Sequence, residues 1–222
     1  MITLLVMTDG RRDCIARTIA SALANLDGPI TRRLIHDDSG DDEYQWWLRA
    51  AFPNFDVLSH PAGRQGFGGA IRNAWRHVRV AGERFVFHLE DDFVFRRPVN
   101  LVHLAQVLDD QPYLAQLAFR RQPWNDAERA AGGIVEQHPD DFTEISDPAG
   151  HAWLEHRRFF TTNPSLYRRD LCHRPWPDGS ESEGRFTHEL LTDPDVRFGY
   201  WGGRATGEWV THIGDQRVGT GY

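Results

Sequence analysis

Short runs of apolar, β-branched and aromatic residues alternate along this chain with longer stretches in which apolar positions recur every three to four residues. Residues 2–8 read as a strand, and Ile15, Ile19, Ala22, Leu23 and Leu26 mark the buried stripe of a helix that Gly28-Pro29 stops. Leu34-Ile35-His36 is a second strand, ending in the turn and helix-start signal Asp37-Asp38-Ser39-Gly40-Asp41-Asp42. Tyr44, Trp47, Leu48 and Ala51 continue that helix until Pro53, Phe55-Asp56-Val57-Leu58 forms a third strand, and residues 68–80 form the next helix. Residues 84–89 are the fourth strand of this β-α series. Such alternation predicts an α/β fold with a parallel, right-handed, doubly wound sheet. Pro98 suits the first turn of a helix carrying Leu101, Leu104, Ala105 and Leu108, and residues 113–119 supply a fifth strand.

The alternation stops near residue 120. Residues 120–150 are polar, with an antiparallel excursion around Phe142-Thr143-Glu144-Ile145. Beyond them, residues 159–163 read as a strand, 183–191 as a helix, and 197–201 and 209–213 as strands. No repeat or low-complexity tract interrupts the chain. The expectation is one domain over 1–222 with two halves, 1–119 and 120–222.

Composition narrows the class. The chain has 222 residues, 40% apolar and 12% aromatic, which describes a globular protein and not a disordered one. No run approaches the roughly 20 apolar residues of a membrane span. The opening residues lack the basic region and cleavage site of a signal peptide, so the expected location is the cytoplasm, of a bacterium or of a host cell if the chain is viral. Cys14 and Cys172 have no metal-type spacing and imply no disulfide framework. All 25 basic residues are arginine, so no lysine chemistry is available. A formal charge of −7 argues against broad nucleic-acid binding, although six Arg-Arg pairs leave room for a local basic groove.

The chemistry-bearing residues gather at strand ends. Glu90-Asp91-Asp92 closes the fourth strand, Asp37-Asp38 the second and Thr8-Asp9 the first, and ligands of open α/β sheets sit outside the carboxyl ends of the strands. Adjacent carboxylates repel unless a cation or proton compensates, and their hard oxygens suit magnesium or manganese. Taken alone, the acidic triplet is equally an acidic turn. In Arg64-Gln65-Gly66-Phe67-Gly68-Gly69-Ala70-Ile71-Arg72-Asn73, glycines at a helix start let backbone N–H groups approach an anion, and Arg64 or Arg72 could pair with phosphate. Ser180-Glu181-Ser182-Glu183 opens the last helix and carries the pattern of a capping box, Ser180 with Glu183, or of Ser182 followed by acidic first-turn residues.

With these stations in place the chain resembles the GT-A glycosyltransferases, most closely the family 2 nucleotide-sugar enzymes, over residues 2–119 and more weakly beyond. The resemblance implies a GT-A (Rossmann-like) three-layer α/β/α sandwich, with a mostly parallel central sheet and a smaller mixed acceptor half. It implies nucleotide-sugar contacts from Thr8, Asp9, Arg11, Asp37, Asp38, Gln65, Gly66, Arg72, Glu90, Asp91 and Arg217, with Asp37 and Asp38 at the base and ribose. Glu90-Asp91-Asp92 stands as a variant of the family's Asp-x-Asp element, with either Glu90 or Asp91 supporting Asp92. Asp92 and His212 would hold a divalent Mn2+ or Mg2+ ion. The catalytic base would be Glu183 or Glu181, since Gly184 stands where the family has an Asp.

The implied activity is metal-dependent transfer of a sugar, with a UDP-sugar the first choice of donor, to an acceptor hydroxyl with inversion. The acceptor could be a glycan, a small molecule, a protein or a modified DNA base. Two alternatives share parts of the pattern: a sugar-phosphate nucleotidyltransferase, disfavoured by the absence of lysine, and a non-catalytic protein that binds a nucleotide sugar or glycan.

Overall fold

The structure is a computed structural model that describes residues 1–80 and 82–214. In chain order the first half contains β1 (Ile2–Thr8), α1 (Arg12–Asn25), β2 (Leu26–Asp27), β3 (Ile30–Asp37), α2 (Asp42–Ala51), β4 (Asp56–Ser59), α3 (Gly66–Arg79), β5 (Phe85–Glu90), β6 (Phe93–Phe95), β7 (Val99–Asn100), α4 (Leu101–Asp110) and β8 (Leu114–Ala118). The second half adds α5 (Asp126–Ala131), α6 (Ile134–Gln137), β9 (Thr143–Ser146), β10 (Ala152–His156), β11 (Ser165–Arg168), α7 (Ser182–Leu190), β12 (Arg197–Trp201) and β13 (Val210–His212). Helix starts follow local chemistry. Asp41 caps α2 by accepting from the Glu43 and Tyr44 N–H groups, and Asn100 caps α4 by accepting from Val102, so that helix begins after Pro98 and not at it.

Nine strands form the main sheet in the order β4-β3-β1-β5-β11-β8-β12-β10-β9. The first four are mutually parallel, as the alternating pattern predicts. From there the sheet is mixed: β11 runs antiparallel between β5 and β8, β12 is parallel to β8, and β10 and β9 follow as antiparallel strands. Period-two alternation explains why both faces are covered. Leu4 and Val6 of β1, with Phe85, Phe87 and Leu89 of β5, join the core under α1 and α4. Leu5 and Val86 face the other way, into the core with Ile71, Ala74 and Trp75 of α3 and Phe186 and Leu190 of α7.

One sequence-based expectation fails here. Residues 159–163 are not a strand; the strand is β11, which starts at Ser165. The polar backbone groups of the preceding run bond to side chains instead of a ladder. Phe160 N–H donates to Thr187 Oγ1 at 2.9 Å, and the Gln116 amide, oriented for both bonds, pairs with the N–H and C=O of Thr161 at 2.9 and 3.1 Å.

The register brings distant segments to one edge. Thr8 pairs with Asp37 and Met7 with Glu90, so β1, β3 and β5 end together. Because β11 is antiparallel to β5, with Ser165 opposite His88, the loop of Thr161, Thr162 and Asn163 arrives at that same edge. The small ribbon of β13 and β6 pairs His212 with Phe93 and so sets it next to Asp92.

Candidate active site

A cavity of about 920 Å³ opens at the carboxyl edge of the parallel strands. Its lining includes Thr8, Asp9, Arg11, Asp38, Arg64, Gly66, Glu90, Asp91, Asp92, Glu183 and His212. Asp37, Gln65, Arg72 and Glu181 do not line it, and Arg217 lies outside the described residues. Each of these four has other partners or surroundings. Asp37 accepts from the Ser39 N–H and hydroxyl, both at 2.9 Å, in a local turn. The Gln65 side chain bonds back to the Gly63 and Arg64 carbonyls, while its N–H donates to Asp38 Oδ1 at 2.8 Å. Arg72 donates to the Pro177 carbonyl at 3.1 Å and pairs with Asp178 at 2.7 Å, fastening the loop before α7. Glu181 is exposed, with φ +53°, where α7 begins, so no capping box forms.

The three carboxylates after β5 occupy different environments. Asp91 is fully buried: its Oδ2 accepts from Thr8 Oγ1 at 2.6 Å, its Oδ1 from Arg11, and its carbonyl from Thr18 Oγ1 at 2.8 Å. Burial pushes its carboxyl up to about 7 against the opposing pull of Arg11 and Thr8. Burial likewise pushes Glu90 well up, reinforced by the charges of Asp92 and Glu183. Asp92 goes the other way. Its burial would raise it, but His212 and Arg11 hold the carboxyl below its ordinary value. His212 Nε2 lies 3.1 Å from Asp92 Oδ2.

His212 itself is held from three sides. The Gln122 amide grips its backbone twice, accepting from the N–H at 2.9 Å and donating to the carbonyl at 2.8 Å. The rings of Phe93 and Trp124 lie 4.7 and 4.2 Å from the imidazole, centroid to centroid.

Across the cavity, Glu183 sits in the first turn of α7. Its Oε1 accepts from the Thr162 N–H at 2.7 Å and, more weakly, from the Thr162 hydroxyl at 3.4 Å. Burial nevertheless raises its carboxyl above the ordinary range. A further wall comes from Trp124 and Asn163, in segments the sequence marks as acceptor-side, and from Arg121, Glu128, Ile134, Phe159 and Tyr200, whose place there pattern reading missed. Arg121 donates to Glu128 Oε2 at 2.8 Å, and its guanidinium lies 5.6 Å from the Trp124 ring centroid. The legible signal for this wall was the Arg120-Arg121 pair at the end of β8, a strand end like the others.

Residues 3–174 match the family model described as Glycosyl transferase family 2. The chain belongs to that family. Among solved structures, this family 2 chain is similar to the mannosyltransferase PcManGT from Pyrobaculum calidifontis, determined in complex with GDP-Man and Mn2+. The two share 14% identity and a TM-score of 0.67 over 98% of this chain and 58% of that one. It is also similar to residues 1–349 of S. aureus TarS, determined in complex with UDP-GlcNAc, at 18% identity and a TM-score of 0.64 over 97% and 59% of the two chains. At these identities the likeness is one of fold, and the chain spans less than two thirds of either structure. No curated protein sequence matches it. No described helix is long and apolar enough to cross a membrane.

Among the described residues no group of three or more His, Cys, Asp or Glu is placed to hold a metal ion. Asp92 and His212 supply two donors. Asp92 is 4% exposed, and its buried Oδ1 has no hydrogen-bond partner among the described residues; the same is true of His212 Nδ1. A buried carboxylate oxygen left without a donor is a group that a cation would satisfy. Two protein donors fit Mg2+ or Mn2+, hard ions that commonly take their remaining ligands from substrate phosphates and water.

Proposed function

We propose that this family 2 chain transfers a sugar from a nucleoside-diphosphate sugar to an acceptor hydroxyl with inversion at the anomeric carbon. The observation that supports this most is the pairing of two unlike carboxylate stations in one cavity: Asp92 beside His212 on one side, and the half-buried Glu183 on the other. A UDP-sugar is the first choice of donor. The PcManGT and TarS structures carry GDP-Man and UDP-GlcNAc, so both nucleotides belong in a test.

In this reading Thr8, Asp9, Asp38 and Gly66 receive the nucleoside, with Asp37 and Gln65 shaping the turn and helix start that present Asp38. A divalent cation bound by Asp92 and His212 would supply Lewis-acid neutralisation of the diphosphate. Arg11 and Arg64 add positive charge on the same side of the cavity. Glu183 Oε takes the acceptor's hydroxyl proton as the acceptor oxygen bonds to the anomeric carbon. The bond from that carbon to the diphosphate oxygen breaks from the opposite side, and the diphosphate leaves with the electron pair. Thr162 keeps the carboxylate aimed by its N–H bond.

The acceptor is read from the wall opposite the carboxylates. Seven acidic residues (Asp9, Asp38, Glu90, Asp91, Asp92, Glu128, Glu183) line the cavity against three arginines (Arg11, Arg64, Arg121). Arg11 pairs with Asp9, Asp91 and Asp92 on the donor side, and Arg121 with Glu128 on the other. Trp124, Phe159 and Tyr200 offer aromatic faces suited to an uncharged ring. The acceptor in this reading is a neutral hydroxyl compound, such as a glycan.

A thermal-shift screen of UDP- and GDP-sugars with and without Mn2+ tests the proposal. A donor at about 100-fold its Kd stabilises by about 2.7 kcal/mol, which is a rise of roughly 5–10 °C for a chain of this size. The shift should need Mn2+ and vanish in Asp92→Ala, along with sugar transfer. If no nucleotide sugar shifts the melting point, or Asp92→Ala keeps Mn2+-dependent transfer, the assignment fails.

A further inference from the structure

Arg11 occupies the place where the cation would act. It stands immediately before α1, its side chain only 24% exposed, and its guanidinium fork is divided between two carboxylates: one terminal nitrogen on Asp91 Oδ1, the other on Asp92 Oδ2, with Nε 3.2 Å from Asp9 Oδ1. The two main partners differ in what else holds them. Asp91 is tied to Thr8 and Thr18 and is part of the scaffold. Asp92 is not: the oxygen that Arg11 takes is the one that faces His212 Nε2 at 3.1 Å, and its other oxygen, buried, has no hydrogen-bond partner among the described residues. Arginine and a divalent ion are therefore alternative counter-charges for one carboxylate, Arg11 already on Oδ2 and the ion suited to the unpartnered Oδ1.

The backbone closes over one side of the pair. Ile213 N–H donates to the Asp92 carbonyl at 2.7 Å, and the backbone at Gly214 passes directly over the pair: a Cβ there would fall 2.3 Å from Asp92 Oδ2 and 3.0 Å from Arg11 Nη1. A dication added against the guanidinium there meets like charge at short range. Arg11 also has an alternative. It lines the open cavity beside Arg64, where a diphosphate would offer its planar fork a pair of oxygens.

We propose that Arg11 is the resident counter-cation of Asp91 and Asp92, and that a nucleoside diphosphate draws it off Asp92, opening that carboxylate to the divalent ion. The inference rests on the nucleotide-sugar reading above. It makes Arg11 a positioning residue that couples two ligands: by linkage, whatever factor the diphosphate adds to cation affinity, the cation adds to diphosphate affinity. Cation and donor then bind as a pair, and the cation alone binds poorly.

The test measures Mn2+ binding directly, from the electron paramagnetic resonance signal of the free ion, in the full chain with and without UDP or GDP. Wild type should bind Mn2+ at least tenfold more tightly when the cognate diphosphate is present. Arg11→Met removes the charge while keeping an unbranched side chain. It should bind Mn2+ alone at least tenfold more tightly than wild type, and the diphosphate should then add little. Arg11→Lys keeps a cation that cannot span both carboxylates, so its Mn2+ affinity should fall between the two. This variant keeps the test decisive if the methionine variant unfolds. Wild type and both variants binding Mn2+ equally well without nucleotide would overturn the inference and leave the cation site standing. Failure of every form to bind Mn2+, even with either diphosphate, would remove the cation site and the inference together.

Discussion

Glu183 shows how a single side chain here is prepared by its neighbours. Half-buried in the first turn of α7, its carboxyl is raised by partial desolvation, while the Thr162 N–H at 2.7 Å fixes its direction and favours the ionised form. A base must be ionised to accept a proton, so turnover should increase as pH rises through the raised pKa of this group. The measurable consequence is an acidic limb in the pH profile of sugar transfer, or of donor hydrolysis, lying above the range of an ordinary glutamate. Glu183→Gln keeps the shape and loses the proton acceptor. It should slow transfer by about 10²- to 10⁴-fold and abolish that limb. Near-normal turnover in this variant would exclude Glu183 as the base. Glu181, exposed and off the cavity, should tolerate the same change.

At the level of elements, β12 is where the mixed half of the sheet is most tightly specified. Gly199 pairs with Leu117 on one side and Glu155 on the other, and a Cβ there would lie 2.7 Å from Leu117 Cδ2 and 3.3 Å from Trp153 Cδ1. Leu117 and Trp153 are 0% and 1% exposed, so neither can swing away freely. Gly199→Ala should therefore destabilise by about 1–3 kcal/mol, seen as a fall in melting temperature of several degrees; an unchanged value would show that the sheet can part there at no cost. This half was also the less legible one. The parallel strands could be read because β1 and β5 are continuous apolar runs, each closed by turn chemistry and followed or preceded by a helical stripe. That regularity also made the shared edge of Thr8, Asp37 and Glu90 foreseeable. By contrast, β11 holds only Ser165-Leu166-Tyr167-Arg168, too short to stand out beside Phe159-Phe160-Thr161-Thr162, whose backbone is satisfied by Gln116 and Thr187 from elsewhere in the chain. Such bonds leave no trace in local pattern. The duty of Arg72 on the loop before α7, and the grip of Gln122 on His212, are long-range contacts of the same kind.

Across the whole molecule, buried titratable groups of opposite kinds set a pH dependence of stability. His36, His88 and His156 are lowered by burial to about 4, 4 and 3. Their contribution is present above the ordinary histidine value of about 6.5 and is lost as pH falls through those lowered values. Glu90, Asp91 and Glu183 are raised by burial, Asp91 to about 7. Theirs is present below the ordinary carboxylate range of about 4 and is lost as pH rises through the raised values. Between about pH 4 and 6.5 the two trends oppose each other. Above about 7.5 the histidines are neutral in both folded and unfolded chains, and the raised carboxylates are left to set the trend. A formal net charge of −7 acts in the same direction through self-repulsion. With a chelator present, the melting temperature should therefore decline from about pH 7.5 to 9. Glu90→Gln, which removes the charge of this half-buried side chain and keeps its shape, should flatten that decline and raise the melting temperature most at the alkaline end of the range. A melting temperature that holds level or rises over this range in wild type would mean that these carboxylates are neutralised within the fold without any bound cation, and the cavity would then have no electrostatic need of one.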